Sequence, residues 1–395
     1  MKHHTPLWSL TTPQLAPNGQ ATSVVLATIH PRGDQRILKC IQSLLNQHCR
    51  VHVVWLGEEV GQTCHDDWLT ETVIRTPRST KQRLLRTLPV IRAALRDEAR
   101  ILYIHDFYML PHGLLWKMLR RRGRVVFDSH EFYPELYSAK FPNLVRNQAA
   151  WAIKVLAKTL YRNVDGFSLV SPLMVSSTSR DQPIIITPNY PSRSLFQHIT
   201  ETDPDRNLRS IIHSGSISPA YGIATLIKAA KLLEERHVDV RIDIVNRFSS
   251  DALRDWFEQE IEANGHPSTL RRIPARPAQD MWGLLRHYGA GLSLIEERGQ
   301  NGLAVPTKIY EYGVSGLFVI ASDTPAQAEF VRTSPGVHGA IYKGASASSL
   351  ADSIEEYLAQ AEQIAQETEV ARLAADIEYD WDRSCSPQFR FFKDM

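Results

Sequence analysis

The sequence predicts an α/β protein made of two doubly wound domains. Its 395 residues exceed what one ordinary hydrophobic core supports, so two domains are expected. Short apolar runs rich in β-branched residues alternate with segments of helical period, which indicates a parallel sheet covered on both faces. The alternation stops once, near the middle of the chain, and then restarts. Each half therefore reads as a Rossmann-like domain.

The first half contains six strand-like runs: SVVLATI (23–29), VHVVWL (51–56), ILYIH (101–105), RVVFD (124–128), GFSLV (166–170) and PIIIT (183–187). Helical period lies between them, as in the apolar positions 37, 41, 44 and 45. Residues 188–207 are rich in Pro, Asp and Asn and lack any period, which is typical of a linker. We predict a first domain over 1–190 and a linker over 191–208.

The second half repeats the pattern with the runs SIIHSG (210–215), VRIDIVN (240–246), GLSLIE (291–296) and LFVIAS (317–322). Helices are expected over 222–235, 251–263, 277–287, 306–314 and 346–366. This predicts a second domain over 209–375 and a C-terminal segment, 376–395, that packs back toward the first domain. Ligands of such sheets bind at the carboxyl ends of the strands, so the two domains are expected to face each other across a cleft.

Composition excludes several classes of protein. A net charge of +2 argues against a dedicated nucleic-acid binder, which usually carries a strongly basic domain. The four cysteines form no CxxC pair and no zinc-ligand spacing, so we expect reduced thiols in a cytoplasmic protein. No signal peptide and no membrane-spanning run is apparent in the sequence.

The segment PTKIYEYGVSGLFVIASD, 306–323, suggests a phosphate and ribose site. Pro306 suits the first position of a helix, and a helix start attracts phosphate through its free N–H groups and the macrodipole. Lys308 lies in the first turn, and Glu311 follows on the same face, where a carboxylate can accept hydrogen bonds from two vicinal hydroxyls. A plain Lys–Glu surface pair explains the spacing equally well.

Two neighbouring strands of the first domain end in histidines and acids. His105 and Asp106 follow one strand, and His130 and Glu131 follow the next, after Asp128. Such a cluster at the carboxyl edge can take a hydroxyl proton or hold a sugar hydroxyl. A lone histidine is more often a core or loop residue, but two His/acid pairs at consecutive strand ends weaken that alternative.

Two further segments of interest each follow the first predicted strand of a domain. HPRGDQRILKCIQSLLNQ, 30–47, contains a tight turn at Gly33 and a plausible helix N-cap at Asp34. HSGSISPAYGIATLIKAA, 213–230, has Gly215, which permits close backbone approach to a ligand. Arg247, after the VRIDIVN run, is either a phosphate partner or a solvated loop arginine.

These four segments, in this order, resemble GT-B glycosyltransferases of the family 4 (group 1) type, including bacterial polysaccharide enzymes. The resemblance covers the chain from about residue 23 to WDRSCSPQF near its end. The family carries two glutamates separated by seven residues. Leu303 stands where the first is expected, and Phe318 replaces a usual proline.

The resemblance implies a metal-independent enzyme that uses a nucleotide sugar as co-substrate and retains the anomeric configuration. It implies donor binding by Gly215, Arg247, Asn301, Pro306, Thr307, Lys308 and Glu311. It implies catalytic roles for His130, Glu131 and Asp106, and an acceptor site bordered by His30, Asp34, Arg36 and His105. The acceptor is expected to be a glycan, a lipid-linked molecule or another hydroxyl compound, and the transferred group a hexosyl unit.

The segment 143–163 has apolar residues near one face and basic residues on another, and an arginine run ends the segment 114–124. Such features can seat a protein on an anionic membrane surface. The favoured alternative is a core helix whose basic face is solvated.

Three other functions remain open. An NAD-dependent dehydrogenase would need a G-x-G-x-x-G turn, whereas the 29–36 turn has one glycine. A GT-B-like sugar-nucleotide epimerase would share the Glu311 site without an acceptor. A non-catalytic partner subunit would keep the fold, and the absent glutamate at Leu303 is compatible with it.

Overall fold

The computed structural model describes residues 10–14, 21–76, 87–139, 141–178, 182–195, 203–215, 217–246, 248, 250–276, 278–296 and 299–395. The chain divides into two compact units. The first is Met1–Leu195 together with Trp381–Met395, and the second is Phe196–Asp380. Each unit has one largely parallel sheet with helices in the connections, so the predicted class of two Rossmann-like α/β domains is confirmed.

The sheet of the first unit contains eight described strands: β1 (Ser23–Pro31), β2 (Arg50–Gly57), β3 (Gly61–Cys64), β4 (Leu69–Arg75), β5 (Ile101–Ile104), β6 (Arg124–Ser129), β7 (Gly166–Leu169) and β8 (Ile184–Ile186). Their order is β3-β4-β2-β1-β5-β6-β7-β8. Every pair is parallel except β3 with β4. The carboxyl ends of β1, β5, β6 and β7 therefore meet at one edge.

The described helices of this part are α1 (Gln35–Asn46), α2 (Thr87–Leu95), α3 (Leu110–Leu119), α4 (Tyr133–Ser138) and α5 (Arg146–Tyr161). Asp34 caps α1, because its side chain accepts hydrogen bonds from the backbone N–H groups of Arg36 and Ile37. Helices α3 and α5 connect β5 to β6 and β6 to β7. Since crossovers between parallel strands are right-handed, these two helices lie side by side on one face of the sheet.

The second unit has six described strands: β9 (Asn207–Ser214), β10 (Arg241–Asn246), β11 (Leu270–Pro274), β12 (Tyr288–Ser293), β13 (Phe318–Ser322) and β14 (Gly339–Tyr342). They are all parallel, in the order β11-β10-β9-β12-β13-β14. Its described helices are α6 (Ile223–Glu235), α7 (Asp251–Ala263), α8 (Ala278–Leu285), α9 (Thr307–Val314), α10 (Pro325–Thr333), α11 (Ala347–Ala359) and α12 (Ala361–Glu378).

The structure corrects several details of the sequence-based prediction. Pro306 is the N-cap of α9 and not its first helical residue. The helix predicted over 346–366 is two helices, α11 and α12, which meet at Gln360. β9 begins at Asn207, inside the segment predicted as linker. Strands β3, β4, β11 and β14 were not predicted.

The last residues form two short helices, α13 (Trp381–Ser384) and α14 (Phe391–Asp394), that belong to the first unit. Trp381 is buried, and its indole N–H donates a hydrogen bond of 2.8 Å to Ser43 on α1. The Gln388 side chain bonds both backbone groups of Ile186 on the edge strand β8. The segment thus fills a pocket on α1 and covers one sheet edge.

Across the described residues, no helix combines the length and the apolar composition that a bilayer crossing requires.

Candidate functional site

Asp128, near the carboxyl end of β6, is the centre of a polar cluster in the first unit. It is fully buried, and the Arg36 guanidinium donates two hydrogen bonds of 2.7 Å to its two oxygens. Ser168, on β7, donates a third of 2.7 Å. Burial opposes ionisation, but the Arg36 charge outweighs it and holds the pKa of Asp128 well below its ordinary value. Asp128 is therefore an ionised carboxylate at neutral pH.

Two histidines approach the Asp128 carboxylate from consecutive strand ends. Nδ1 of His105 lies 3.1 Å and Nδ1 of His130 lies 3.2 Å from Asp128 Oδ2. His105 has no exposed surface, and this burial lowers the pKa of its imidazole, which is neutral. His130 keeps 14% of its side chain exposed. Because the carboxylate holds Nδ1, Nε2 is the ring nitrogen of His130 that remains for a ligand.

His30, in the last part of β1, lies between two carboxylates. Its Nδ1 is 3.0 Å from Asp34 Oδ2, and its Nε2 is 3.5 Å from Asp106 Oδ1. Burial disfavours the imidazolium, but hydrogen bonds and charge from Asp106 and Asp34 prevail and raise the pKa of His30 to about 10. His30 is therefore cationic at neutral pH, and its ring meets that of His130 edge-on with centroids 5.1 Å apart.

The two carboxylates beside His30 are themselves fixed by the backbone. Asp106 Oδ2 accepts hydrogen bonds from the Ile29 N–H, at 2.8 Å, and from the Thr28 hydroxyl, at 3.0 Å. Asp34 uses its other oxygen to cap α1. Each acid thus divides its oxygens between the fold and His30. This arrangement favours Asp106 as a residue that charges and orients His30.

Two residues predicted to contact an acceptor are buried instead. His105 is 0% and Arg36 is 7% exposed. The Arg36 guanidinium also donates hydrogen bonds of 3.1 Å to the carbonyl and the hydroxyl of Thr187. Side chains enclosed in this way offer little surface to a substrate, and the acceptor contact predicted for these two residues stays a prediction. They position Asp128.

In the described part of the chain, the group of side chains close enough to be a candidate metal site is His105, Asp128 and His130. Each offers one ligand atom, and these atoms lie within 4.8 Å of one another. Arg36 already occupies both oxygens of Asp128. A divalent cation there would meet the guanidinium charge and the nearby imidazolium of His30. The donor set does not fit a metal ion.

In the second unit, helix α9 presents its start near the carboxyl edge of the sheet. Its N-cap residue, Pro306, makes no side-chain capping hydrogen bond. The Tyr312 hydroxyl accepts a hydrogen bond of 3.1 Å from the Ser214 N–H at the end of β9, which fixes the helix to the sheet. The Tyr312 ring lies so close to Gly291 on β12 that a Cβ at that position would overlap it. The contacts of Tyr312 therefore hold the start of α9 rigidly at the edge of the sheet.

Lys308, in the first turn of α9, reaches over the end of β9. A Cβ on Gly215 would lie 3.3 Å from its Nζ, and Gly215 has a φ of +128°, which other residues rarely adopt. Loss of hydration, partly offset by the charge of Glu311, lowers the pKa of Lys308 to about 8. The ammonium is charged at neutral pH and incompletely hydrated, as a phosphate partner would be.

The other predicted donor-site residues are placed as follows. Glu311 is half-buried one turn after Lys308, and its side chain has interactions within the protein. Asn301 donates a hydrogen bond of 3.0 Å from Nδ2 to the Glu296 carbonyl, which closes the loop before α9. Arg247 lies outside the described residues.

The prediction from sequence missed two residues at this edge, Asn246 and His213. Asn246 ends β10 and is 4% exposed, yet neither of its amide atoms has a partner among the described residues. His213, on β9, donates from Nδ1 to the Leu292 carbonyl, and its buried Nε2 has no partner in the same set. Unpaired buried polar atoms are rare and cost about 1–3 kcal/mol each, so these two residues are candidates for contact with a ligand. Position at a strand end is the signal that would have found them.

The charge on His30 yields a testable prediction. We expect Asp34→Asn to lower the pKa of His30 from about 10, because the amide still caps α1 but removes one of two negative charges. Since the pKa of His30 is raised on folding, its stabilising effect is complete below the ordinary histidine pKa and is lost as pH rises through about 10. The variant should therefore show less loss of stability in this range.

NMR titration of the imidazole measures the pKa directly. Asp66→Asn is the matched control, because Asp66 also accepts two backbone hydrogen bonds, from Trp68 and Leu69, away from His30. An Asp34→Asn protein whose His30 titrates as in the wild type would contradict the assigned charge pair.

A sequence comparison finds a match in the second unit. Residues 197–373 match the family model of the glycosyl transferases group 1. A sequence search of the curated proteins finds no match.

Solved structures match the fold of nearly the whole chain. Sucrose-phosphate synthase from Thermosynechococcus elongatus is 12% identical with a TM-score of 0.73, over 94% of this chain and 98% of that one. HepE from Anabaena, in complex with UDP and glucose, is 15% identical with a TM-score of 0.71, over 95% and 100%. The trehalose-6-phosphate synthase OtsA is 13% identical with a TM-score of 0.67, over 95% and 98%.

At such identities the likeness to these structures establishes the fold alone, and the family model matches a part of the second unit that is less than half of the chain. The chain has the GT-B fold, and its residues 197–373 match the family model of the glycosyl transferases group 1.

Proposed function

We propose that the chain is a metal-independent glycosyltransferase that moves a hexosyl group from a nucleotide sugar to a hydroxyl acceptor with retention of configuration. One observation carries the proposal. At the carboxyl edge of the second sheet, the Lys308 ammonium lies over the bare backbone of Gly215, beside the unpaired polar atoms of Asn246 and His213. We call these four residues the strand-end site.

The strand-end site suits a nucleoside diphosphate. The leaving group of sugar transfer develops negative charge on its phosphates, which fixed positive partners stabilise. Lys308 and the start of α9, at Pro306 and Thr307, provide such partners. The missing side chain at Gly215 leaves room for a phosphate beside the ammonium. HepE, which shares the fold, binds UDP and glucose.

We assign binding of the ribose to Glu311 and binding of the donor sugar to Asn301. Glu311 follows Lys308 by one helical turn, so a diphosphate at Lys308 would place a ribose within reach of its carboxylate. Asn301 stands two residues before Leu303, which replaces a glutamate usual in the resembled family. With its Nδ2 on the Glu296 carbonyl, Asn301 keeps its Oδ1 as an acceptor for a sugar hydroxyl.

Retention by front-face attack requires no protein nucleophile. The leaving phosphate itself takes the proton from the acceptor hydroxyl, and the protein positions the two substrates. His130 then orients the reacting groups through Nε2, with Nδ1 anchored on Asp128. The cationic His30 adds positive charge beside it. Asp34 and Glu131 complete the polar edge that an acceptor would meet.

We propose a glycan or lipid-linked acceptor and action at the cytoplasmic face of a membrane, in polysaccharide synthesis. Leu303 keeps a second candidate open: a chain that binds nucleotide sugars but transfers none, as a partner subunit would. An epimerase is the third, since it would use the strand-end site without an acceptor. Product analysis with the bound donor separates the three.

Nucleotide-sugar binding is the first test. A thermal-shift screen with UDP-, GDP-, dTDP-, ADP- and CMP-sugars should identify one stabilising base. With that ligand, Glu311→Ala should weaken binding by roughly 1.5–3 kcal/mol, which is about tenfold to 150-fold, because a charged hydrogen-bond acceptor is lost.

Calorimetry measures the affinities. Glu311→Gln, which keeps the shape of the side chain, serves as the variant in which the fold is retained. Glu329→Ala, an exposed glutamate on α10, is the matched control and should bind as the wild type does. Equal affinities in the wild type and Glu311→Ala would remove Glu311 from the ribose.

The pKa of Lys308 leads us to predict that nucleotide-sugar binding depends on pH. Because the pKa of Lys308 is about 8, its ammonium loses a proton above this pH, and the affinity for the nucleoside diphosphate should fall there. Lys308→Arg keeps the charge at all these pH values, so its affinity should stay constant. Titrations on both sides of pH 8 decide this, and a wild-type affinity that does not change would place Lys308 away from the phosphates.

His130 is tested by rate and by stereochemistry together. His130→Ala should lower the transfer rate roughly a hundredfold or more, the scale of one positioned catalytic group, yet leave an α-linked product from an α-linked donor. His65→Ala, a half-buried histidine elsewhere in the first unit, is the control and should keep the rate.

Proton NMR of the first-formed product reads the anomeric configuration. A β-linked product from an α-linked donor would overturn retention and would require a carboxylate base, for which Asp106 and Glu131 are the candidates.

A further inference from the structure

We propose that the outer surface of helices α3 and α5 in the first unit is a docking surface for an anionic lipid bilayer. This basic–apolar face consists of the exposed side chains of α3 and α5, the turn before α5 and the arginine run after α3. It extends the proposed membrane contact to named residues, and it rests on no part of the proposed chemistry.

Helix α5 carries an outward stripe of Trp151, Val155, Lys158 and Arg162. These positions follow the spacing i, i+4, i+7 and i+11 and so share one side of the helix. Trp151 is 70% exposed, and Val155 and Leu156 are about half exposed. Only Ala157 and Tyr161 of this helix are buried among its described side chains. The structure departs in part from the favoured sequence interpretation, a core helix with a solvated basic face: Leu160 packs against the core, but Trp151, Val155 and Leu156 lie on the solvated side.

Helix α3 continues the same surface. Met118 is 79% exposed, and Leu115 and Leu119 are more than half exposed. The Lys117 ammonium donates hydrogen bonds of 2.9 Å to the Asn163 carbonyl and 2.8 Å to the Asp165 carboxylate, which joins the last turn of α3 to the end of α5. Just before α5, Leu144 is 88% exposed. Monomeric proteins rarely leave so many large apolar side chains together in solvent.

Charge is segregated over this face. The segments 107–127 and 136–164 contain ten Lys or Arg residues and no Asp or Glu, although the chain as a whole has 45 basic and 43 acidic residues. Acids reach the face from neighbouring elements, where Glu135 pairs with Lys154 and Asp165 with Lys117. The remaining basic side chains give the face a net positive charge.

The positive charge continues around the end of α3. A cavity of about 1200 Å³ lies at the amino edge of the first sheet, and basic side chains from several elements line it: Arg50, Arg100, Arg121, Arg122, Arg124 and Lys393. Three acids, Asp97, Glu98 and Asp165, also line it. A concave site of this composition can receive the phosphate groups of lipid heads at the border of the apolar patch.

An anionic bilayer fits this surface better than a second copy of the chain does. Two copies would bring like charges together, which opposes association. A bilayer accepts apolar side chains below its head groups, places Trp at the interface and attracts Lys and Arg from above. Positive charge beside exposed Trp, Leu and Met side chains is the combination that an interfacial protein needs.

The experiment is co-sedimentation of the full chain with vesicles, without nucleotide or acceptor. Vesicles of phosphatidylcholine alone are compared with vesicles that also contain phosphatidylglycerol. We expect binding to the anionic vesicles that weakens with salt. Replacing Lys158 and Arg162 together by Gln should lower this binding about 30-fold at low salt, and replacing Trp151 and Val155 by Gln should lower it tenfold or more.

The matched control is the Val370→Gln, Leu373→Gln double variant, an exposed apolar pair on α12 of the second unit, which should bind as the wild type does. All these side chains are exposed, so circular dichroism should show an unchanged fold. Equal binding to neutral and anionic vesicles would overturn the proposal. So would wild-type binding by both α5 variants, or self-association that the Trp151 variant abolishes.

The assay separates this inference from the proposed function. A chain that sediments with anionic vesicles but transfers no sugar keeps the docking surface and loses the glycosyltransferase. A chain that transfers sugar in solution but does not bind vesicles keeps the glycosyltransferase function and loses the docking surface.

Discussion

The buried ion pair between Asp128 and Arg36 is the interaction on which the polar cluster of the first unit depends. Enclosing two charges costs several kcal/mol per ion before their attraction is counted, so the pair persists only because Ser168 and Thr187 complete its hydrogen bonds. Its low carboxyl pKa means that the stabilisation is present above the ordinary pKa of aspartate and is lost as the pH falls below it. The same carboxylate orients His130. The charge of Asp128 therefore contributes both to the fold and to the candidate chemistry.

The strands that the sequence reveals are those buried on both faces. Central strands such as β1, β2 and β6 are apolar runs, because helices cover the sheet on each side. Strands β3 and β11 are polar and exposed, since edge strands have fewer neighbours to bury them, and the short β14 lies at the other edge of its sheet. Strand β4, beside β3, alternates between buried and partly exposed residues. Strands β3, β4 and β11 carry no continuous apolar run, and β14 has only three apolar residues in a row, so the sequence gives no distinct signal for these strands.

The site residues show a similar division. Some are evident from their position in the sequence, and others are evident only from contacts between distant parts of the chain. Strand-end position predicted that His105, Asp128 and His130 lie together, because parallel strands end at a common edge. It did not predict that His30 lies beside Asp106 and His130. Arg36 could not be assigned in this way, since its partner Asp128 lies 92 positions away and nothing near either residue shows the pairing. Asn246 has no motif around it, and its significance rests on unpaired atoms that only coordinates reveal.

The return of residues 381–395 to the first unit has a consequence for biosynthesis. The ribosome makes the second unit before it makes Trp381, which fills the pocket beside Ser43, and Gln388, which covers the edge of β8. The second unit can therefore mature while the first still lacks Trp381 beside Ser43 and has an unpaired strand edge at β8. Such features attract chaperones and promote aggregation. Two units with separate cores are thus coupled in time: the half of the chain that emerges first is completed last.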